Sequence, residues 1–202
     1  MNLTLRNLPA LLVMLPLAIF AQQSTKERAK LANPAPAGSS SSSAPNERVV
    51  KEVRHEILTI PQYGVFDFLS FSVNGGIVTL VGDVRLPVTR MNAENAVKQI
   101  EGVTKVENQI NVLPVFPADD NIRSAVYQAV YGNASLQRYA FQAIPSIHII
   151  VNNGKVRLEG AVANKGDADQ ALIRARTVPG TFEVTSNLKT DAQLEAEEER
   201  RK

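Results

Sequence analysis

From Leu69 to Val84 apolar and polar residues alternate in two short runs. Leu69, Phe71 and Val73 fall on one parity, and Val78, Leu80 and Val84 fall on another. Period-two alternation predicts two strands, each with one face for a core. Between them Asn74-Gly75-Gly76 supplies the residues that a tight hairpin accepts. Ala93, Val97 and Ile100 then recur at helical spacing, and Thr104, Val106 and Ile110 alternate again. Upstream, Val49, Val53 and Ile57 form an i, i+4, i+8 stripe, predicting a further helix.

The same pattern returns later in the chain. Asn74 to Val84 matches Asn152 to Val162 at an offset of 78 residues. The offset holds without a gap from Phe66 and Ile144 to Ile110 and Leu188, which marks an internal duplication. In the second copy Ile147, Ile149 and Val151 precede Asn152-Asn153-Gly154, and Val156, Leu158 and Val162 follow. Ala171, Ala175 and Val178 repeat the helix, and Phe182, Val184 and Leu188 the third strand; Ile122, Val126 and Val130 supply the leading stripe. The expected fold class is therefore α+β: two tandem α-β-β-α-β domains, each a three-stranded sheet with two helices on one face. The opposite face would carry Thr79, Lys105, Glu107 and Gln109, or Arg157, Glu159, Glu183 and Thr185, a mixture expected to meet water. Gly102 and Gly180 are expected to end the second helix of each unit in a left-handed cap.

The flanks read differently. Residues 1–21, with Arg6 the only charge and Leu8 to Ala21 apolar, predict an export signal peptide with Ala21 as a cleavage residue. An uncleaved anchor is the alternative reading of the same stretch. Residues 22–46 read as a disordered Pro/Ser-rich linker, residues 47–114 and 118–190 as the two domains, and residues 191–202 as a charged tail.

The repeated unit resembles a BON domain, a bacterial osmotically-inducible and nodulation module. Val73 to Val84 with Ala93 to Val112 carries the resemblance in the first copy, and Val151 to Val162 with Val178 to Leu188 in the second. The resemblance covers most of residues 47–190. It implies the α-β-β-α-β fold, a periplasmic or envelope location, and binding in place of catalysis. Two-domain members are associated with phospholipid contact, osmotic-stress protection and outer-membrane integrity, and many are lipoproteins. This chain departs there: it contains no Cys to lipidate, so the reading is a periplasmic or secreted protein without a Cys-linked anchor. The family's glycines map onto Gly76, Gly82, Gly102, Gly154, Gly160 and Gly180, all explained by turns, caps and close packing.

Composition narrows the chemistry. Zero Cys excludes disulfides, thiolate metal sites and a Cys nucleophile. Aromatics at 5%, no Trp and a net charge of +2 leave nucleic acid without a stacking platform or a strong field. The two His, His55 and His148, have no convergent ligands in the pattern, so no metal and no cofactor are expected. Asp119-Asp120-Asn121 reads as an N-cap before Ile122, and Asp167 and Asp169 as first-turn acids of a helix. Gly75-Gly76 lacks the Lys-Ser/Thr of a phosphate loop, so an enzyme is not expected, and a small hydrolase stays the least supported reading.

One surface stands out. Residues 119–190 hold eight Lys/Arg and six Asp/Glu, whereas residues 47–113 hold seven and eight. Arg123, Tyr127, Tyr131, Arg138, Tyr139, Arg174 and Arg176 make a candidate contact for an anionic phospholipid surface, since Tyr beside Arg suits a membrane interface. At the offset of 78, Tyr127 and Tyr131 align with Val49 and Val53, which favours a core role for both. The expected function is a non-enzymatic envelope module with weak anionic phospholipid association, linked to osmotic stress or outer-membrane integrity. The alternative is a periplasmic protein-interaction or chaperone-like module binding envelope proteins, motivated by the open β face.

Overall fold

The computed structural model describes residues 43–200. The expected signal peptide and most of the expected linker lie outside these residues. The first unit comprises α1 (Ser43–Leu58), β1 (Phe68–Asn74), β2 (Ile77–Val84), α2 (Pro87–Lys98) and β3 (Lys105–Val112). The second comprises α3 (Pro117–Tyr131), a 3-10 turn at Gln137–Ala140, β4 (Ile147–Asn152), β5 (Lys155–Val162), α4 (Lys165–Arg176) and β6 (Glu183–Thr190), and α5 (Asp191–Glu199) follows. α1 starts inside the stretch read as linker, because its apolar stripe needs a helical turn ahead of Val49 to hold it.

Each sheet has the order of its sequence, with an antiparallel hairpin and a parallel third strand brought back by the intervening helix. The hairpin residues Gly75 and Gly76, and Asn153 and Gly154, all have positive φ, the conformation of a two-residue turn that follows the strands' twist. Leu69, Phe71, Val78, Leu80 and Val84 meet Val49, Val53, Ile57, Ala93 and Val97 in one core. Ile147, Ile149, Val156, Leu158 and Val162 meet Ile122, Val126, Val130, Ala171 and Ala175 in the other.

Gly82 and Gly160 have a stricter reason to be glycine. A Cβ there would lie 2.0 Å from the carbonyl oxygen of Phe68 or of Ser146, respectively, at positive φ. Only a bare backbone lets the hairpin partner approach so closely. Gly102 and Gly180 differ from expectation. The helices stop earlier, at Lys98 and Arg176, with Gln99 and Thr177 as right-handed caps. The two glycines lie beyond those caps, where they turn the chain so that Thr104 and Phe182 donate N–H to the hairpin carbonyls of Gly76 and Gly154, each at 2.8 Å.

The polar sheet faces are not wholly open, which corrects the expectation of water on that side. On β1 and β4, Phe68, Ser70, His148 and Ile150 point away from their own helices and are nevertheless buried. The two units cover one another there. Phe68, Leu113 and Ile150 form an apolar cluster across the join, and Ile149 donates its N–H to the Val65 carbonyl at 2.8 Å. Arg157 bonds both to Glu159 of its own unit and to Asp83 of the other. The β3 and β6 side stays exposed at Lys105, Gln109, Glu183 and Thr185. Val65 and Phe66 pack on the second core, and Ile144, the counterpart of Phe66, packs on the first.

Candidate functional site

The seven candidate contact residues divide by burial, and helix register explains the division. The stripes Val49, Val53, Ile57 and Ile122, Val126, Val130 are related by an offset of 73, not 78. Five extra residues therefore sit between α3 and β4, in the connector that holds the 3-10 turn. Tyr127 and Tyr131 consequently do not correspond to Val49 and Val53, as the gap-free alignment implied. They lie one position beyond the stripe.

Tyr131 is still buried, and its hydroxyl donates to the Ile147 carbonyl at 2.6 Å. Burial pushes its phenol well above the usual range, so it stays neutral. Tyr127 is half-buried, its ring 4.9 Å from that of Tyr131 and 6.2 Å from that of Phe66 in the first unit. Arg123 is buried: its guanidinium donates to Asp120 at 2.7 Å and to the Val151 carbonyl at 2.6 Å. Tyr139 is buried beneath Arg138, its hydroxyl donating to Asp167 at 2.5 Å and accepting the Ala163 N–H at 2.9 Å. Burial first, and the Asp167 carboxylate second, raise its pKa. Most of these polar atoms are engaged within the protein, although the buried Nε of Arg123 has no partner among the described residues.

Arg138, Arg174 and Arg176 are exposed. Arg138 is tied to Asp167, while among the described residues neither Arg174 nor Arg176 has a carboxylate within 4 Å. The last turns of α4 also present Ile173, 54% exposed, and the turn after it presents Phe182, 85% exposed. Alternation had placed Phe182 in the sheet core. It instead precedes β6 and lies over Gly154, with no Cβ beneath it.

The first acidic pair has a different role from the one read in the sequence, whereas Asp167 is the first-turn acid expected of it. Asp119 is not an N-cap: Phe116 holds that position and Pro117 opens α3. The buried Asp119 carboxylate accepts the N–H groups of Asn153 and Gly154, each at 2.8 Å, fixing the hairpin of its own sheet to the start of α3. Asp120 accepts from Arg123 and, at 3.3 Å, from Arg85 of the first unit. Asp167 lies in the first turn of α4 behind the cap Asn164, and Asp169 pairs with Lys165.

His55 is exposed on α1. His148 is 2% exposed between the rings of Tyr63 and Phe68, and burial pushes its pKa down to about 4, so it is neutral and out of reach of substrate. Among the described residues no group of three or more His, Asp or Glu is placed to hold a metal ion. None of their helices is long and apolar enough to cross a membrane.

A family model described as BON domain matches residues 66–114 and 118–192. Osmotically-inducible protein Y of Escherichia coli (strain K12) is 28% identical over 125 residues, 60% of this chain; the chain spans 61% of that relative's length. Two solved structures of CdsD, a structural protein of the type III secretion system of Chlamydia trachomatis, also align. One covers 77% of this chain and 99% of its own at 16% identity and a TM-score of 0.27. The other, its C-terminal domain, covers 70% and 96% at 14% identity and a TM-score of 0.26.

Proposed function

The chain belongs to the BON-domain family, and on that premise we propose that it is a non-enzymatic envelope module, engaged in osmotic stress or outer-membrane integrity, whose second unit rests weakly on anionic phospholipid. The name of the Escherichia coli relative supports the osmotic setting, and the apolar, singly charged residues 1–21 support export.

One observation carries the lipid reading: Arg174 and Arg176 are exposed and uncommitted, beside an equally exposed Ile173 and ahead of Phe182. Apolar side chains among free cations suit the boundary between headgroups and acyl chains. Each arginine near an anionic surface contributes on the order of 1 kcal/mol, so two or three give a reversible contact and not an anchor. Flotation of the full chain with phosphatidylglycerol or phosphatidylcholine vesicles tests this. Binding to the first alone, lost in added salt and in Arg174→Glu/Arg176→Glu, is expected. Equal and negligible recovery with both vesicles ends the reading.

The protein-partner alternative drew on an open β face. The mutual cover of Phe68, Ser70, His148 and Ile150 removes half of that face from reach, so the lipid reading is preferred.

A further inference from the structure

The face of β4 turned away from its helices would be bare in an isolated unit. In this chain Ile150 is covered by Phe68 and Leu113, and His148 by Tyr63 and Phe68, whose ring centroids each lie 5.6 Å from the imidazole. The burial of His148 thus comes from docking of the first unit and lasts only while the units are docked. Nδ1 of His148 and the hydroxyls of Ser70 and Ser146 are buried without a partner among the described residues.

The charged and titratable groups around the ring are already engaged. The Asp67 carboxylate accepts the N–H of Gly64 at 3.1 Å and of Arg85 at 2.7 Å. Glu159 lies opposite His148 in the β4–β5 register, but its carboxylate binds Arg157 at 2.6 Å and Asn187 at 2.8 Å. The Tyr63 hydroxyl accepts the Leu69 N–H at 3.3 Å. Leu113, directly after β3, is apolar. No uncommitted anion awaits an imidazolium, and an unpaired charge in such a place is costly.

We propose that His148 is an acid-sensitive latch: protonation of its imidazole releases the two units from each other and uncovers the strip of Phe68, Leu113 and Ile150. Several groups oppose the release. The carbonyls of Asp67 and Gly64 favour the charged ring, though burial outweighs them. Burial also raises the Asp67 carboxyl, so its protonation favours the docked form as pH falls. The Arg157–Asp83 and Arg85–Asp120 ion pairs also hold the units together. With docked and free rings titrating at about 4 and 6.5, full protonation of His148 lowers the ratio of docked to released chains by about 300-fold.

The chain has no native Cys, so Asn95→Cys on α2 and Gln170→Cys on α4, both exposed, accept a unique pair of spin labels. Dipolar distance measurement on the full chain is expected to give one narrow distribution at neutral pH and a longer, broader one at about pH 4. In His148→Phe, whose ring cannot titrate, the neutral-pH distribution should persist in acid. A wild type that keeps its distance after His148 has protonated overturns the proposal, as does a His148→Phe chain that opens in parallel with wild type. If that variant does not fold, NMR titration of the two native histidines decides the matter. A His148 midpoint far below that of the exposed His55 supports the latch, and one equal to it overturns the latch.

Discussion

The Asp119 carboxylate and the main-chain N–H of Gly154 meet at 2.8 Å, inside the protein, across 35 positions of sequence. The same carboxylate takes the N–H of Asn153, whose φ of 51° is the positive one among non-glycine described residues. Removing the side chain by Asp119→Ala leaves the buried Gly154 N–H and the part-buried Asn153 N–H without their acceptor. A loss of about 3 kcal/mol is expected, since each orphaned group costs roughly 1–3 kcal/mol. Urea denaturation followed by circular dichroism measures it; an unchanged midpoint contradicts the role.

Gly82 and Gly160 should tolerate no Cβ. Gly160→Ala places a methyl 2.0 Å from the Ser146 oxygen at a φ of 116°, so the hairpin must separate. A loss of about 3 kcal/mol or more is expected. Gly75→Ala is the control: with open space around it and a φ of 56°, it should cost only about 1 kcal/mol. The two melting curves, taken together, test whether close approach and not flexibility keeps glycine at position 160.

Arg157 and Asp83 join the units across partly exposed surface. A double-mutant cycle with Arg157→Met and Asp83→Asn should give a coupling of about 1 kcal/mol, reduced by salt. Full additivity of the two single variants would mean that the pair adds nothing to docking.

Stability should depend on pH through His148. Its folded pKa of about 4 lies below the ordinary 6.5, so the folded form disfavours the proton. Its contribution is fully present above the ordinary value and is lost as pH falls toward the folded one. About 3 kcal/mol is at stake over that window. Urea midpoints from neutral pH to about pH 4 should fall in wild type more than in His148→Phe. Parallel curves would exclude the residue as the cause.

The repeat, both hairpins and every helical stripe were legible because each is local: alternation, a turn pair, or i, i+4 spacing. Docking of the units was not, since pairing between distant faces leaves only a faint trace. The trace exists. Ile147 to Val151 is apolar at four of five positions, the mark of a strand covered on both sides, and Phe68 and Ala161 are apolar at positions whose parity points outward. His148 within that run obscured it. Tyr127 and Tyr131 pack on the core as expected, but not in the register the repeat offered: an insertion inside a repeat is invisible when the strands on its far side align without a gap. Arg123 and Tyr139 looked like surface residues because their acceptors, the Val151 carbonyl and Asp167, come from strands and turns remote in sequence.

Phe66 and Ile144 occupy the same position of the repeat, and each braces the core of the opposite copy. A contact that maps onto itself when the copies are exchanged is the signature of an isologous dimer, here tethered within one polypeptide. Such an arrangement does not distinguish its own other half from that of a neighbouring molecule. The brief, proline-bearing stretch from Leu113 to Ala118 is just long enough to let the halves meet within one chain, and shortening it until they cannot should make molecules trade halves and accumulate as swapped dimers.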